Sequence, residues 1–260
     1  MSAAKPGNIT PAHDFSDTTY ADMVRSGLAL GPVFARPRVL RRTVGELIAD
    51  GVAASAEVAG ANTNLGIVLL FAPLTRAAVT RQADEPLRAA AERILAGLDV
   101  GDAAAAFAAI ASAQPGGLGD APEHDVRAPA RVSLREAMAA AADRDSVASE
   151  YATGYAIVFE CALPLLNDAL ARERSTLDAI VSLHVGLLSA RPDTLIARKA
   201  GLDAARAVSE AARQVRDGAL SVSDFDASLR SCGNRLNPGT TADLVAATLL
   251  AALLDGIPLP

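Results

Sequence analysis

The sequence has no tryptophan, and aromatic residues make up only 3% of its 260 positions. A core without large rings must be filled by aliphatic and small side chains. Hydrophobic residues still reach 51%, and much of that share is alanine, the strongest helix former. Small side chains let helices approach closely, which favours a helical bundle over a sheet sandwich. Cysteine is nearly absent too. Cys161 and Cys232 stand alone, which excludes a disulfide framework or a cysteine zinc site and fits a reduced interior.

Positive charge is scarce. Lys and Arg total 24 against 30 acidic residues, a net charge of -6, and duplex binding needs a basic face that displaces counterions from phosphate. The densest basic group is Arg36, Arg38, Arg41 and Arg42, which reads either as a holder of a phosphorylated small molecule or as a solvated helix face. Nucleic acid is therefore not an expected partner. Long apolar runs are missing as well: Gly66–Leu74 and Leu244–Leu254 fall short of the ~20 residues of a membrane span. The start, Met-Ser-Ala-Ala-Lys-Pro-Gly, lacks the apolar core of a signal peptide. A cytoplasmic location without membrane insertion is the expectation. No alternating strand pattern occurs, and no Pro/Ser-rich linker divides the chain. The expected fold class is all-α, a single-domain compact multi-helix bundle with polar loops at helix junctions.

Periodicity and breakers predict helices over about Thr18–Leu30, Arg38–Ala59, Leu65–Val79, Pro86–Ala96, Asp102–Ala113, Leu134–Ser149, Thr153–Ala171, Thr176–Ser189, Thr194–Arg216, Ser223–Ser231 and Thr240–Leu254. Ser133 and Glu136 form a capping box before the sixth. The apolar last helix reads either as a core element or as a contact in a possible homodimer.

Polar residues gather at the junctions between these helices. Near the start, Lys5-Pro6-Gly7-Asn8 precedes His13, Asp14 and Asp17. Two acids three residues apart suit a Mg²⁺ ion bound to phosphates, or one of them caps a helix; His13 suits proton transfer. Glu57 precedes Asn62-Thr63-Asn64, whose amides at a helix start suit a nucleobase or phosphate. Gly116 and Gly117 let backbone approach a ligand, and Asp120, Glu123, His124 and Asp125 follow. No Gly-Lys-Ser/Thr is present, so this is not a P-loop. Asp143 and Glu150, seven residues apart, are expected on one helix face as metal ligands or as a base, or as ordinary surface charge. Arg198 and Lys199, a turn after Asp193, suit a triphosphate or a solvated face. Gly239, Thr240 and Thr241 open the last helix with free donors suited to an anion.

These clusters, in this order, resemble the triphosphoribosyl-dephospho-CoA synthase family over nearly the whole chain. Asn62-Thr63 with Gly66, Arg198 with Gly201, and Pro238-Gly239 followed by Ala242-Asp243-Leu244 are the most specific pieces. The resemblance implies an all-helical enzyme with ATP and an alcohol as small-molecule substrates. In that reaction the 2′-hydroxyl of 3′-dephospho-CoA attacks C1 of the ATP ribose and adenine leaves. Mg²⁺ is the implied cofactor. On that reading His13, Asp14, Asp143 and Glu150 are the acid–base candidates. Lys5, Asn62, Asn64, Gly116, Gly117, Arg198, Lys199, Gly239, Thr240 and Thr241 are the nucleotide and phosphate contacts. Asp14, Asp17, Asp120 and Asp125 are the metal candidates.

Two departures mark this member. Only four residues precede Lys5, where the family carries a helix. Asn64-Leu65-Gly66 stands where well-known members have His-Lys-Gly after Asn-Thr. The variant looks more like the archaeal and one-carbon-metabolism branch, for which an acceptor such as the ribitol of a methanopterin-like cofactor is chemically parallel. Rival readings are an ADP-ribosylglycohydrolase-like hydrolase that breaks an N-glycosidic bond with water, a prenyl synthase, for which the paired acidic motifs are missing, and a non-enzymatic helical scaffold.

Overall fold

The computed structural model describes residues 2–59, 63–114 and 123–259. The protein is 68% helical, and among the described residues there are fourteen α-helices, one π-helix and no strand. They form two compact units, residues 21–156 and residues 1–20 with 157–260.

The unit of residues 21–156 holds α1 (Tyr20–Val33, apart from its first residue), α2 (Arg36–Val39), α3 (Val44–Ala59), α4 (Leu65–Thr80), α5 (Leu87–Ala96), α6 (Val100–Ala113), α7 (Leu134–Ala139) and α8 (Ser146–Thr153). Helices α3 and α6 pack closely. Asp102, buried in the first turn of α6, accepts from Gly45 N–H at 2.7 Å and closes a capping box with Asp99. Two predicted helices are broken here, both by local polar chemistry. The expected Arg38–Ala59 stops at Val39, because Thr43 and Glu46 cap each other's backbone N–H groups and restart the chain as α3. The expected Leu134–Ser149 stops at Ala139, because Asp145 turns its carboxylate onto the N–H groups of Val147 and Ala148 and begins α8. Asp143 and Glu150 therefore do not share a helix face.

Helix α4 carries Pro73 in its interior. Proline has no N–H, so the carbonyl of Leu69, four residues earlier, loses its helical donor. The buried Tyr151 hydroxyl donates to that carbonyl at 2.7 Å, and the buried Tyr155 hydroxyl donates to Leu70 O, also at 2.7 Å. Burial pushes both phenol pKa values well up, so both remain donors. Tyr151→Phe is expected to lose about 1–3 kcal/mol by orphaning a buried carbonyl. The same change in a Pro73→Ala background, where residue 73 regains its N–H, is expected to cost less than half as much. Chemical denaturation of the four variants measures the difference, and equal costs in both backgrounds would refute the pairing of proline with tyrosine.

The other unit holds the N-terminal segment, the π-helix (Ile157–Ala162), α9 (Leu163–Arg172), α10 (Thr176–Ala190), α11 (Thr194–Ala200), α12 (Leu202–Arg216), α13 (Val222–Arg230) and α14 (Gly239–Leu254). The expected Thr153–Ala171 helix is interrupted by two successive left-handed residues, Gly154 and Tyr155, and resumes with a π turn. The expected Thr194–Arg216 helix is split at Gly201, whose φ of +95° ends α11 and starts α12. Leu188, Ile196, Val208, Phe225 and Leu229 form the core that α10 to α13 share. Helix α14 lies in the core of its own unit, with Leu244, Val245, Thr248, Ala251 and Ala252 buried. Among the described residues no single helix is long and apolar enough to cross a membrane.

Candidate functional site

In the unit of residues 1–20 and 157–260, the Lys-Pro-Gly segment is not a loose terminus. Lys5, Pro6, Gly7 and Asn8 are all buried. Gly7 has a φ of +74°, and a Cβ there would sit 2.8 Å from Pro238 and 2.9 Å from Leu229, so no other residue fits. Its N–H donates to Asp226 at 2.7 Å. Arg230 donates to the other oxygen of Asp226 at 2.8 Å and to the Asn8 carbonyl at 2.7 Å. Asn8 donates in turn to Asn237 at 3.2 Å. Burial pushes the Asp226 carboxyl up, but the Arg230 and Gly7 hydrogen bonds outweigh it and hold the pKa below its usual value, with a smaller contribution from His13. His13 itself is exposed, with Nδ1 3.5 Å from Thr10 Oγ1.

Lys5 is 6% exposed, and among the described residues no carboxylate pairs with its ammonium. Burial lowers its pKa from the ordinary lysine value. The buried His184 feels the charge of Lys5. Burial first, and Lys5 second, drive the His184 pKa down to about 3, against a hydrogen bond to Pro6 O. The imidazole is thus neutral at pH 7. A carbonyl only accepts, so Nε2 carries the proton at 3.3 Å from Pro6 O. Nδ1 is then a buried acceptor with no partner.

Asp193 and Thr241 were placed at two separate clusters by the sequence, and the structure brings them together. Asp193 is 2% exposed. One carboxylate oxygen caps α11 through Leu195 and Ile196 N–H at 2.8 and 3.0 Å; the other accepts from Thr241 N–H and Oγ1, both at 2.7 Å. Burial pushes its pKa up, opposed by these four donors. The anion at the start of α14 is thus a side chain of the protein, and both Thr241 donors are engaged by it. Thr240 is buried beside it. Arg198 is exposed and Lys199 half-buried in the last turn of α11, where cations complement the helix dipole. Asp14 and Asp17 are exposed; Asp14 accepts from Tyr20 N–H at 2.6 Å, and Asp17 from Thr18 Oγ1 at 3.4 Å.

In the unit of residues 21–156, Asn64 occupies the N-cap position of α4 without capping it. It is 2% exposed, and among the described residues neither its Nδ2 nor its Oδ1 has a hydrogen-bond partner; the buried Thr63 Oγ1 has none either. Glu150 is fully buried near Tyr155. Asp143 is 84% exposed and 3.6 Å from Arg144. Asp125 is bound by Arg127 at 2.6 Å. Two of the four grouped arginines pair with acids of α3, Arg38 with Asp50 at 2.7 Å and Arg42 with Glu46 at 3.2 Å. A shallow groove of about 490 Å³ opens between Arg88, Glu92, Arg135 and Thr153, and holds none of the residues named from the sequence. Asn62, Gly116, Gly117 and Asp120 lie outside the described residues.

Sequence reasoning missed His184, Asp226 and Arg230. A lone histidine in an apolar helix looks like core, and Asp226 with Arg230 looks like an ordinary i,i+4 surface pair. Among the described residues no group of three or more His, Cys, Asp or Glu is placed to hold a metal ion.

Residues 1–258 match the family described as ATP:dephospho-CoA triphosphoribosyl transferase, CitG. The chain belongs to this family. A crystal structure from Archaeoglobus fulgidus, provisionally described as a triphosphoribosyl-dephospho-CoA synthase, is 26% identical, with a TM-score of 0.71 over 92% of this chain and 99% of that one. No curated protein matches significantly in sequence. The family makes the protein a transferase that uses ATP, and its all-helical architecture agrees with that of the Archaeoglobus protein.

Proposed function

We propose that the protein transfers the triphosphoribosyl group of ATP to the 2′-hydroxyl of 3′-dephospho-CoA and releases adenine. The observation that carries this reading is the family match over residues 1–258. In the reaction the C1′–N9 bond of ATP breaks and a C1′–O bond to the acceptor forms. The hydroxyl proton leaves and the departing adenine takes one up. C1′ gains oxocarbenium character on the way, as in glycoside cleavage. Both substrates carry phosphoanhydrides, and the buried Lys5, paired with no carboxylate among the described residues, suits one of them. His13, within electrostatic reach of the ionised Asp226, is the proton-transfer group this reading favours.

Mg²⁺ is the cofactor of this reading, arriving with ATP and held mainly by phosphate oxygens and water. Substrates of this kind place the reaction in the cytoplasm.

The test is adenine release from ATP with Mg²⁺, followed by chromatography, with and without dephospho-CoA. Release that depends on dephospho-CoA is the expected result. Release without any acceptor would mean hydrolysis and overturn the transfer. Release that appears only with another alcohol, such as a pterin-linked ribitol, would keep the transfer and replace the acceptor.

A further inference from the structure

We infer that Asn64, supported by Thr63, binds the adenine base of ATP along its amino–N7 edge. This rests on the transferase reading and names the group that recognises the base. An asparagine at an N-cap ordinarily accepts from the second or third N–H of its helix. Here the 16-residue α4 begins without that bond; only the Asn64 backbone carbonyl serves the helix, accepting from Val68 N–H at 2.8 Å. The amide is 2% exposed, with both Nδ2 and Oδ1 unpartnered among the described residues, and the neighbouring Thr63 hydroxyl is buried and unpartnered there too. Buried amides without partners are rare because each lost hydrogen bond is uncompensated. No described residue supplies the partner, and a molecule bound at the helix start would.

The two orphaned atoms select the chemistry of that partner. Nδ2 donates and Oδ1 accepts, on one planar group. A phosphate offers acceptors only; it would serve Nδ2 and leave Oδ1 facing negative oxygen. The Hoogsteen edge of adenine offers an N6 donor and an N7 acceptor at the spacing of a carboxamide, the same pairing that asparagine makes with adenine in nucleic acids. The Thr63 hydroxyl, which donates or accepts, is a second polar contact at the same end of the helix. A donor held against N7 also stabilises the negative charge the base gains as the C1′–N9 bond breaks.

Calorimetric binding to the full chain tests the inference, using ATP, inosine triphosphate (N6 replaced by an acceptor), 7-deaza-ATP (N7 replaced by C–H) and inorganic tripolyphosphate. Wild type is expected to bind each altered base at least about tenfold more weakly than ATP, the scale of a site whose polar groups are left unpaired. Asn64→Asp keeps the acceptor for N6 and loses the donor for N7. It should no longer prefer ATP to 7-deaza-ATP, and should still prefer both to inosine triphosphate. Asn64→Ala should bind all three alike, and tripolyphosphate should be unaffected by it. Thermal melts establish that each variant is folded. Equal binding of the three nucleotides by a wild type that still releases adenine would overturn the inference and leave the transferase reading standing. Loss of tripolyphosphate binding in Asn64→Ala would make this a phosphate site and overturn it as well. Absence of both ATP binding and adenine release would remove the reading beneath it.

Discussion

Asp193→Ala is expected to lower the melting temperature by about 10 °C. The carboxylate serves two helices at once: α11, whose first turn it caps, and α14, whose Thr241 N–H and hydroxyl it accepts. Losing an N-cap costs about 0.5–2 kcal/mol, and orphaning a buried donor adds about 1–3 kcal/mol. The sum is on the order of 1.5–5 kcal/mol, and in a chain of this size each kcal/mol moves the midpoint by roughly 2–4 °C. Asp193→Asn should fall between, because one amide oxygen still serves α11 while the NH₂ meets the Thr241 N–H. The cost of Thr241→Val should largely vanish in the Asp193→Ala background, since both changes break one contact. Differential scanning calorimetry reads the four variants against wild type. A midpoint for Asp193→Ala within 2 °C of wild type would refute the assignment of this carboxylate as a pin between helices.

The same contact shows what the sequence made legible. In the sequence Asp193 stands just before the helix expected from Thr194, in a cluster suited to a triphosphate, and Gly239-Thr240-Thr241 reads as a helix start that wants an anion. Both readings describe real local chemistry. That one supplies the anion for the other is a matter of three-dimensional packing, and a separation of 48 residues gives no hint of it. The helical class was readable because alanine content, period and breakers all point one way. The helix breaks were harder. Thr43 with Glu46 is a capping box that the sequence spells out, yet the apolar period running through it suggested one long helix. Asp145 competes with the helix for the backbone, and taking Asp143 through Glu150 as uninterrupted put those two acids on a face that does not exist. The tyrosines that donate to Leu69 and Leu70 carbonyls are linked to Pro73 by geometry alone. Charged residues mislead in both directions: Arg38 and Arg42 end in ion pairs with α3, while Lys5, a single lysine before a Pro-Gly, is buried with no carboxylate paired to it among the described residues.

Lys5→Met is expected to reduce kcat/KM for adenine release by about 100-fold or more while raising the melting temperature. The two effects have opposite signs because they have different origins. In the unliganded protein a buried ammonium without a carboxylate is a cost, visible in its lowered pKa, and an apolar chain of similar length removes that cost. A phosphate-bearing substrate supplies the missing charge, and truncating one partner of a buried charge pair costs about 2–5 kcal/mol of binding. The pH dependence follows the same logic. Only the charged amine attracts phosphate, so substrate affinity should hold at lower pH and fall as pH rises through the depressed lysine pKa, earlier than an exposed lysine would allow. Lys5→Arg, whose guanidinium does not deprotonate in this range, should flatten that decline. Steady-state kinetics with ATP and dephospho-CoA varied in turn identify which phosphoanhydride Lys5 holds. Activity within threefold of wild type together with a lowered melting temperature would show that Lys5 serves packing.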